Sequence, residues 1–172
     1  YEEATFEGYG PGGVAILVEI LSDNRKRTVA DIRHIFSKNA GNLGEAGCVS
    51  WMFGKKGWIV FEKEKVDEEK LMNAALDAGA QDVRETEKEF EVVCDPSDFE
   101  KVKKALEQAQ LKPLLAEITM VPQSTIRLAG KEAQQMLRLM ESLEDSDDVQ
   151  HVYANFDIPD AEMVHAAGRL AG

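Results

Sequence analysis

A chain of 172 residues in which 44% are hydrophobic has enough apolar side chains for one or two folded cores and is too apolar for a disordered protein. Its net charge of −12 at pH 7 disfavours indiscriminate binding to nucleic acids, because contacts with phosphates need a local excess of cations. Its two cysteines, Cys48 and Cys94, are too few for a disulfide framework or a zinc site and predict free thiols in a reducing compartment. The apolar runs are far shorter than the ~20 residues of a membrane-spanning helix, so we expect no membrane partner.

Taken in chain order, apolar periodicity and turn residues predict alternating strands and helices. A glycine-rich turn at residues 8–13 precedes the first strand, and a loop is predicted at residues 41–44. The predicted strands are residues 14–21, 48–53, 58–62, 83–86, 90–94, 113–121 and 149–155. The predicted helices begin near residues 24, 67, 97 and 130.

The order of these elements predicts an α+β fold of two ferredoxin-like α/β lobes, one inserted in the other. Residues 57–121 follow the order strand, helix, strand, strand, helix, strand, which is one complete ferredoxin-like unit. The flanking elements make a second unit, which a strand near Met120 is expected to complete. The predicted domains are a split α/β domain at 1–55 plus 122–157, an inserted domain at 56–121 and a peripheral tail at 158–172.

One basic segment stands out in this acidic chain. Residues 24–56 contain seven basic and two acidic side chains, and three of the cations fall where a helix begins. The macrodipole disfavours positive charge there, so helix stability does not explain them. Contacts with phosphates, of RNA in particular, are one explanation, and a solvated charged turn is the other. The candidate nucleic-acid-binding residues are Arg25, Lys26, Arg27, Arg33, Lys38, Asn42, Lys55 and Lys56.

Two aromatic residues follow the loop that contains Asn42. Trp51 and Phe53 share one side of the strand predicted at residues 48–53. Aromatic side chains on an open sheet face can stack on bases, whereas such a pair inside a domain belongs to its core. We expect Trp51 and Phe53 to be core residues.

The sequence has no pattern typical of catalysis or of metal binding. His34, His151 and His165 are not paired with a predicted nucleophile. The turn at residues 8–13 precedes a strand and lacks the Gly-Lys-Ser/Thr of a phosphate loop. We therefore expect a protein that is not an enzyme and that has no cofactor and no metal ion.

Six motifs, in this order, resemble signatures of the YebC/PmpR family. They are Tyr9-Gly-Pro-Gly-Gly-Val-Ala, Asp23-Asn-Arg-x-Arg-Thr, Arg33-His-x-Phe-Ser-Lys38, Gly41-Asn-Leu-Gly44, Val121-Pro-Gln and Asp148-Val-Gln-x-Val-Tyr153. The resemblance runs from about residue 7 to residue 157. It implies three domains, namely an N-terminal helical bundle and two α/β domains of which one is inserted in the other. The basic segment typical of the N-terminal bundle is absent from this sequence.

The resemblance also implies a function. It implies a non-enzymatic regulator of gene expression in the cytoplasm, or in mitochondria if the source is eukaryotic, where related proteins activate translation of a cytochrome oxidase subunit. The family was long described as DNA-binding transcriptional regulators and is now regarded as ribosome-associated translation factors that act at proline-rich stretches. The expected partner is the ribosome or ribosomal RNA, with DNA as a second possibility, and the oligomeric state stays open. The alternative is a protein- or metabolite-binding regulatory module without nucleic-acid contact, because paired ferredoxin-like domains often bind ligands.

Overall fold

The computed structural model describes residues 1–159, which form two compact units. The first unit contains Tyr1–Phe53 and residues 122–159, and the second contains Gly54–Val121. Residues 1–159 include four α-helices and two four-stranded sheets, which confirms the predicted α+β fold. Residues 160–172, most of the predicted tail, lie outside the described residues.

All four predicted helices are present. They are α1 (Arg25–Lys38), α2 (Glu68–Asp77), α3 (Phe99–Gln108) and α4 (Gly130–Glu144). The strands are β1 (Glu2–Tyr9), β2 (Ala15–Ser22), β3 (Asn42–Leu43), β4 (Phe53–Glu62), β5 (Asp82–Glu85), β6 (Glu89–Cys94), β7 (Leu115–Pro122), β8 (Ile126–Arg127), β9 (Val149–Ala154) and β10 (Phe156–Asp157).

The second unit has the strand order β5-β6-β4-β7. This is the ferredoxin-like order for a chain that runs β4-α2-β5-β6-α3-β7, as the sequence predicts. Strands β4 and β5 both pair antiparallel with β6. Alternate residues of β4, such as Ile59 and Phe61, pack against Leu71 of α2 and Leu106 of α3 in one closed core.

The first unit has the strand order β3-β1-β2-β9. Strand β1 forms an antiparallel hairpin with β2 across the glycine-rich turn, and β9 pairs antiparallel with the other edge of β2. The sequence analysis missed β1 and assigned its role to a strand near Met120. That assignment is wrong because Met120 lies in β7, which belongs to the other sheet. The glutamates of β1 weaken its apolar pattern, which is why the strand is not apparent from local sequence.

The strand predicted at residues 48–53 is also wrong in part. Phe53 is buried and begins β4, but residues 50–52 form a short 3₁₀ helix and Trp51 is 64% exposed. The expectation that Trp51 is a core residue is therefore incorrect. Backbone N–H groups of this segment bond to the carboxylate of Glu7 instead of to a neighbouring strand. The predicted loop at residues 41–44 contains the two residues of β3, the edge strand of the sheet.

Helices α1 and α4 cover one face of the first sheet. Ile32 and Phe36 of α1 and Met136 of α4 pack against Ile16 and Val18 of β2. Successive side chains of a strand point to alternate faces of the sheet. The odd-numbered side chains of β1 and β2 therefore lie on the face opposite α1 and α4.

Asn155 joins the two separated segments of the first unit. Its side chain is buried, and its Oδ1 accepts a hydrogen bond of 2.7 Å from the backbone of Ala15 in β2. Its Nδ2 donates to the carbonyl oxygen of Ser124 at 3.3 Å. One side chain therefore connects the hairpin to the segment that follows the inserted unit.

Candidate nucleic-acid interface

Helix α1 carries most of the predicted nucleic-acid-binding residues on a face that packing leaves exposed. Its N-terminus is capped by Asn24, whose side chain accepts a hydrogen bond of 3.1 Å from the backbone N–H of Arg27. Thr28, Ile32 and Phe36 are buried at the spacing of one helical face. The helix is thereby held with its other face, which carries Lys26, Arg33, His34 and Lys38, toward solvent.

Arg25 is engaged within the protein. Its Nη1 lies 3.3 Å from Oε1 of Glu2, and its guanidinium lies 5.9 Å from the centre of the Phe6 ring. Both partners belong to β1, so Arg25 connects the start of α1 to this strand. Exposed ion pairs of this kind are weak. The carboxylate of Glu2 nevertheless compensates the positive charge with which Arg25 would bind a phosphate.

Arg27 is likewise paired. Its Nη2 lies 3.0 Å from Oδ1 of Asp23 and 3.4 Å from Oδ2 of Asp148. The hydrogen bond to Asp23, and then that to Asp148, raises the pKa of Arg27 above its ordinary value. Asp148 accepts a further hydrogen bond of 2.6 Å from the hydroxyl of Thr28. That bond, followed by the contact with Arg27, holds the pKa of Asp148 below its ordinary value and keeps it ionised.

Three other cations of α1, unlike Arg25 and Arg27, have no carboxylate partner in the described part of the chain. Among residues 1–159, no acidic side chain lies within ion-pair distance of Lys26, Arg33 or Lys38. Lys26 and Arg33 are seven residues apart, so they share a side of the helix about 10 Å apart along its axis. Lys38 lies in the last turn, where the macrodipole favours a cation, and is about 120° around the axis from Lys26, still on the exposed surface of the helix. We call these three residues the α1 basic face.

Asn42 lies in the edge strand β3, directly opposite Tyr9 of β1. Its side chain is exposed and has no hydrogen-bond partner among the described residues. Lys55 and Lys56 belong to β4 in the second unit, where Lys56 Nζ donates to Oε1 of Gln81 at 2.9 Å. The predicted residues are thus divided between the two compact units.

Sequence reasoning missed the side chain that organises the loop after β3. Glu7 is 6% exposed, and its carboxylate accepts hydrogen bonds from the backbone N–H groups of Gly47, Val49 and Ser50 at 2.6, 3.0 and 2.6 Å. Burial opposes ionisation of Glu7, but these bonds outweigh it and hold its pKa below the ordinary value. The local sequence around Glu7 shows a glutamate within a strand-like segment and nothing else that marks its role. The role depends on partners about forty residues further along the chain.

Within residues 1–159, no group of three His, Cys, Asp or Glu side chains is arranged to hold a metal ion. No helix among these residues is long and apolar enough to cross a membrane.

Known proteins resemble this chain over nearly its whole length. Residues 1–156 match the family described as "TACO1/YebC second and third domain". Proteins named "Probable transcriptional regulatory protein" from Syntrophus aciditrophicus and Syntrophobacter fumaroxidans are 61% and 62% identical over 95% and 93% of this chain. The chain spans 65% of the length of each of these two relatives.

A solved structure agrees with these sequence matches. The crystal structure of a conserved hypothetical protein from Aquifex aeolicus superposes with a TM-score of 0.71 at 43% sequence identity. The match covers 92% of this chain and 65% of that one. The family match, the identities above 60% and the shared fold agree, and the chain therefore belongs to the TACO1/YebC family.

Proposed function

We propose that this chain is part of a non-enzymatic regulator of gene expression that acts as a ribosome-associated translation factor and binds ribosomal RNA through the α1 basic face. The place of action is the cytoplasm, or mitochondria in a eukaryote. Relatives named as probable transcriptional regulatory proteins support a role in gene expression. The observation that carries RNA binding is that three cations of α1 have no acidic partner among residues 1–159, in a chain with net charge −12.

The surrounding charge argues for a small and specific footprint. An acidic protein repels a long stretch of phosphates, so its nucleic-acid contacts are confined to the places where cations are exposed. Three cations neutralise few phosphates and supply limited affinity. Contacts with bases are then needed, and the free side-chain amide of Asn42 offers both a donor and an acceptor to a base edge. Unpaired RNA presents such edges, which favours RNA over duplex DNA.

Charge reversal on α1 tests the proposal. The K26E/R33E variant should lose most of its association with ribosomes and should bind single-stranded RNA at least tenfold more weakly, because both changes remove a cation and add an anion. The measurement is co-sedimentation with ribosomes at low and moderate salt, together with titration of an RNA oligonucleotide. Reversal of Arg25 and Arg27 is less informative, since it also breaks their ion pairs with the protein.

A matched control separates local from global charge. Lys101 and Lys104 are exposed on α3 in the second unit, so K101E/K104E changes the net charge by the same amount at another place. The control should keep ribosome association near that of the parent chain. Equal losses in both double variants would indicate a general charge effect, and unchanged binding by K26E/R33E would refute the role of the α1 basic face. Preferential binding to duplex DNA would instead favour a transcription regulator.

A further inference from the structure

Two exposed aromatic side chains, Tyr9 and Trp51, donate to the same carbonyl oxygen at the edge of the first sheet, where Tyr9 lies opposite Asn42. We infer that Tyr9 and Trp51 form a stacking platform for unpaired bases of single-stranded RNA, with Asn42 reading a base edge next to it. This inference rests on the proposed RNA binding and adds the part of the surface that contacts bases. We call the three residues the aromatic edge.

The polar atoms of both aromatic residues are already used inside the protein. The hydroxyl of Tyr9 and Nε1 of Trp51 both donate to the carbonyl oxygen of Cys48, at 3.2 and 3.1 Å. The shared acceptor brings the hydroxyl of Tyr9 and Nε1 of Trp51 close to each other. Tyr9 is 41% exposed and Trp51 is 64% exposed, so ring surface is what they offer to a ligand. Ring surface is suited to stacking on a base of any identity.

Hydrogen bonds on both sides of Trp51 hold the backbone that carries it. Glu7 holds Gly47, Val49 and Ser50 by their backbone N–H groups, as described above. On the other side of the 3₁₀ turn, Nε2 of Gln123 donates to the carbonyl oxygen of Trp51 at 3.2 Å. A large apolar side chain that is held in place yet exposed does not serve the core. A platform ordered in advance loses little entropy when it binds a ligand.

Asn42 completes the arrangement. It is paired in register with Tyr9, and directly opposite residues of antiparallel strands project from the same face of a sheet. Its exposed amide has no partner among the described residues. Lys38 ends α1 four residues before Asn42, and the chain turns between them through Ala40, whose φ is 61°. A cation of the α1 basic face is thus close in the chain to the aromatic edge.

The composition of this surface fits stacking on bases. Among the described residues of the first unit, the large hydrophobic side chains that are exposed are Tyr1, Tyr9 and Trp51, and none is aliphatic. Tyrosine and tryptophan also anchor protein–protein interfaces, so the choice of RNA as the ligand follows from the proposed RNA binding by α1. Exposed aromatic rings and an exposed amide are groups with which proteins bind the bases of single-stranded RNA.

Fluorescence of Trp51 gives a direct test. The W58F variant removes the other tryptophan, so that Trp51 is the sole reporter. A single-stranded RNA oligonucleotide should quench its emission, and duplex RNA should not. In W51F the remaining Trp58, which lies in the second unit and donates to Glu91, should not respond. Quenching by duplex RNA to the same extent would overturn stacking on unpaired bases.

Affinities of substituted chains provide the second readout. W51A and Y9A should each weaken binding of single-stranded RNA about five- to a hundred-fold, as for the loss of one stacked base, and should leave the salt dependence unchanged. W51F and Y9F keep a ring and should bind within a few-fold of the parent chain. They also show whether the loop tolerates substitution, because Y9F removes only the hydrogen bond to Cys48.

The outcomes separate this inference from the proposed function. If W51A and Y9A bind like the parent chain while K26E/R33E is weakened, the aromatic edge is refuted and RNA binding by α1 stands. If neither set changes affinity, both fail. Equal affinity for single-stranded DNA would support stacking but would overturn the choice of RNA as the ligand.

Discussion

At the scale of single residues, Glu7 has the largest predicted effect on the candidate site. Its buried carboxylate accepts three backbone N–H groups, and the substitution E7Q replaces one acceptor by a donor that faces them. We expect E7Q to lower the free energy of unfolding by about 1–3 kcal/mol at pH 7. Urea unfolding measures this difference. The substitution E3Q, at an exposed position on the same strand, should change stability by less than about 0.5 kcal/mol.

The sign of the pH dependence follows from the pKa of Glu7. Because the folded-state pKa is lowered, its contribution to stability is fully present above the pKa of the unfolded chain. The contribution is lost as the pH falls through the folded-state pKa. The difference between E7Q and the parent chain should therefore shrink when unfolding is repeated at acidic pH. A difference that stays constant would show that the carboxylate charge does not hold the loop.

The partners of individual side chains at the candidate site could not be predicted from the sequence. The basic side chains of α1 are apparent from composition, but the charges of Arg25 and Arg27 are compensated by Glu2 and Asp148, far away in the chain. The exposure of Trp51 depends on Glu7, whose partners are set by tertiary structure. A local pattern reports which side chains are available and not which are already paired.

At the scale of elements, α1 is positioned by a hydrogen bond to the start of β9. The hydroxyl of Thr28, which is 1% exposed, donates to Asp148 at 2.6 Å and lies 2.6 Å from Oγ of Ser22. The substitution T28V keeps the shape and removes these contacts, so it should lower the free energy of unfolding by about 1 kcal/mol. The exposed substitution S37A on the same helix is the control.

This effect should also depend on pH. The pKa of Asp148 is lowered chiefly by the hydrogen bond from Thr28, so the stabilisation is present above the unfolded-state pKa and is lost as the pH falls through the folded-state pKa. Parent chain and T28V should therefore converge in stability under acidic conditions, as thermal unfolding at several pH values would reveal. An equal difference at every pH would assign the effect to the contacts of the Thr28 hydroxyl with Ser22 and with the carbonyl oxygen of Asn24.

Elements differ in how far local sequence determines them. The four helices follow from apolar periodicity, and the second unit follows from elements that are consecutive in the chain. Strand β1 has glutamates at three of its eight positions, and its place between β2 and β3 depends on pairing. Strand β3 has only two residues, too few for a pattern. The pairing of β3 with β1 joins distant segments and is not encoded in any short window, whereas the hairpin of β1 with β2 is local and is obscured by the glutamates of β1.

At the scale of the whole molecule, the separation of charge predicts how RNA binding responds to salt. If only the three cations of the α1 basic face contact phosphates, the slope of log affinity against log salt should be about −2 for a single strand, at about 0.7 per contact. Titration of an RNA oligonucleotide at four or five salt concentrations measures it. K26E/R33E leaves the contact of Lys38 and should bring the slope to about −0.7.

The same slope decides the role of the cations in the second unit. If Lys55 and Lys56 also contact phosphates, five cations contribute and the slope of the parent chain becomes about −3.5. The substitution K55Q/K56Q should then reduce its magnitude by about 1.4, whereas it should have no effect if these lysines are bystanders. Lys56 already donates to Gln81, and Lys55 is exposed without such a bond among the described residues. We therefore expect the slope of about −2, in which the three cations of the α1 basic face contact phosphates and Lys55 and Lys56 do not.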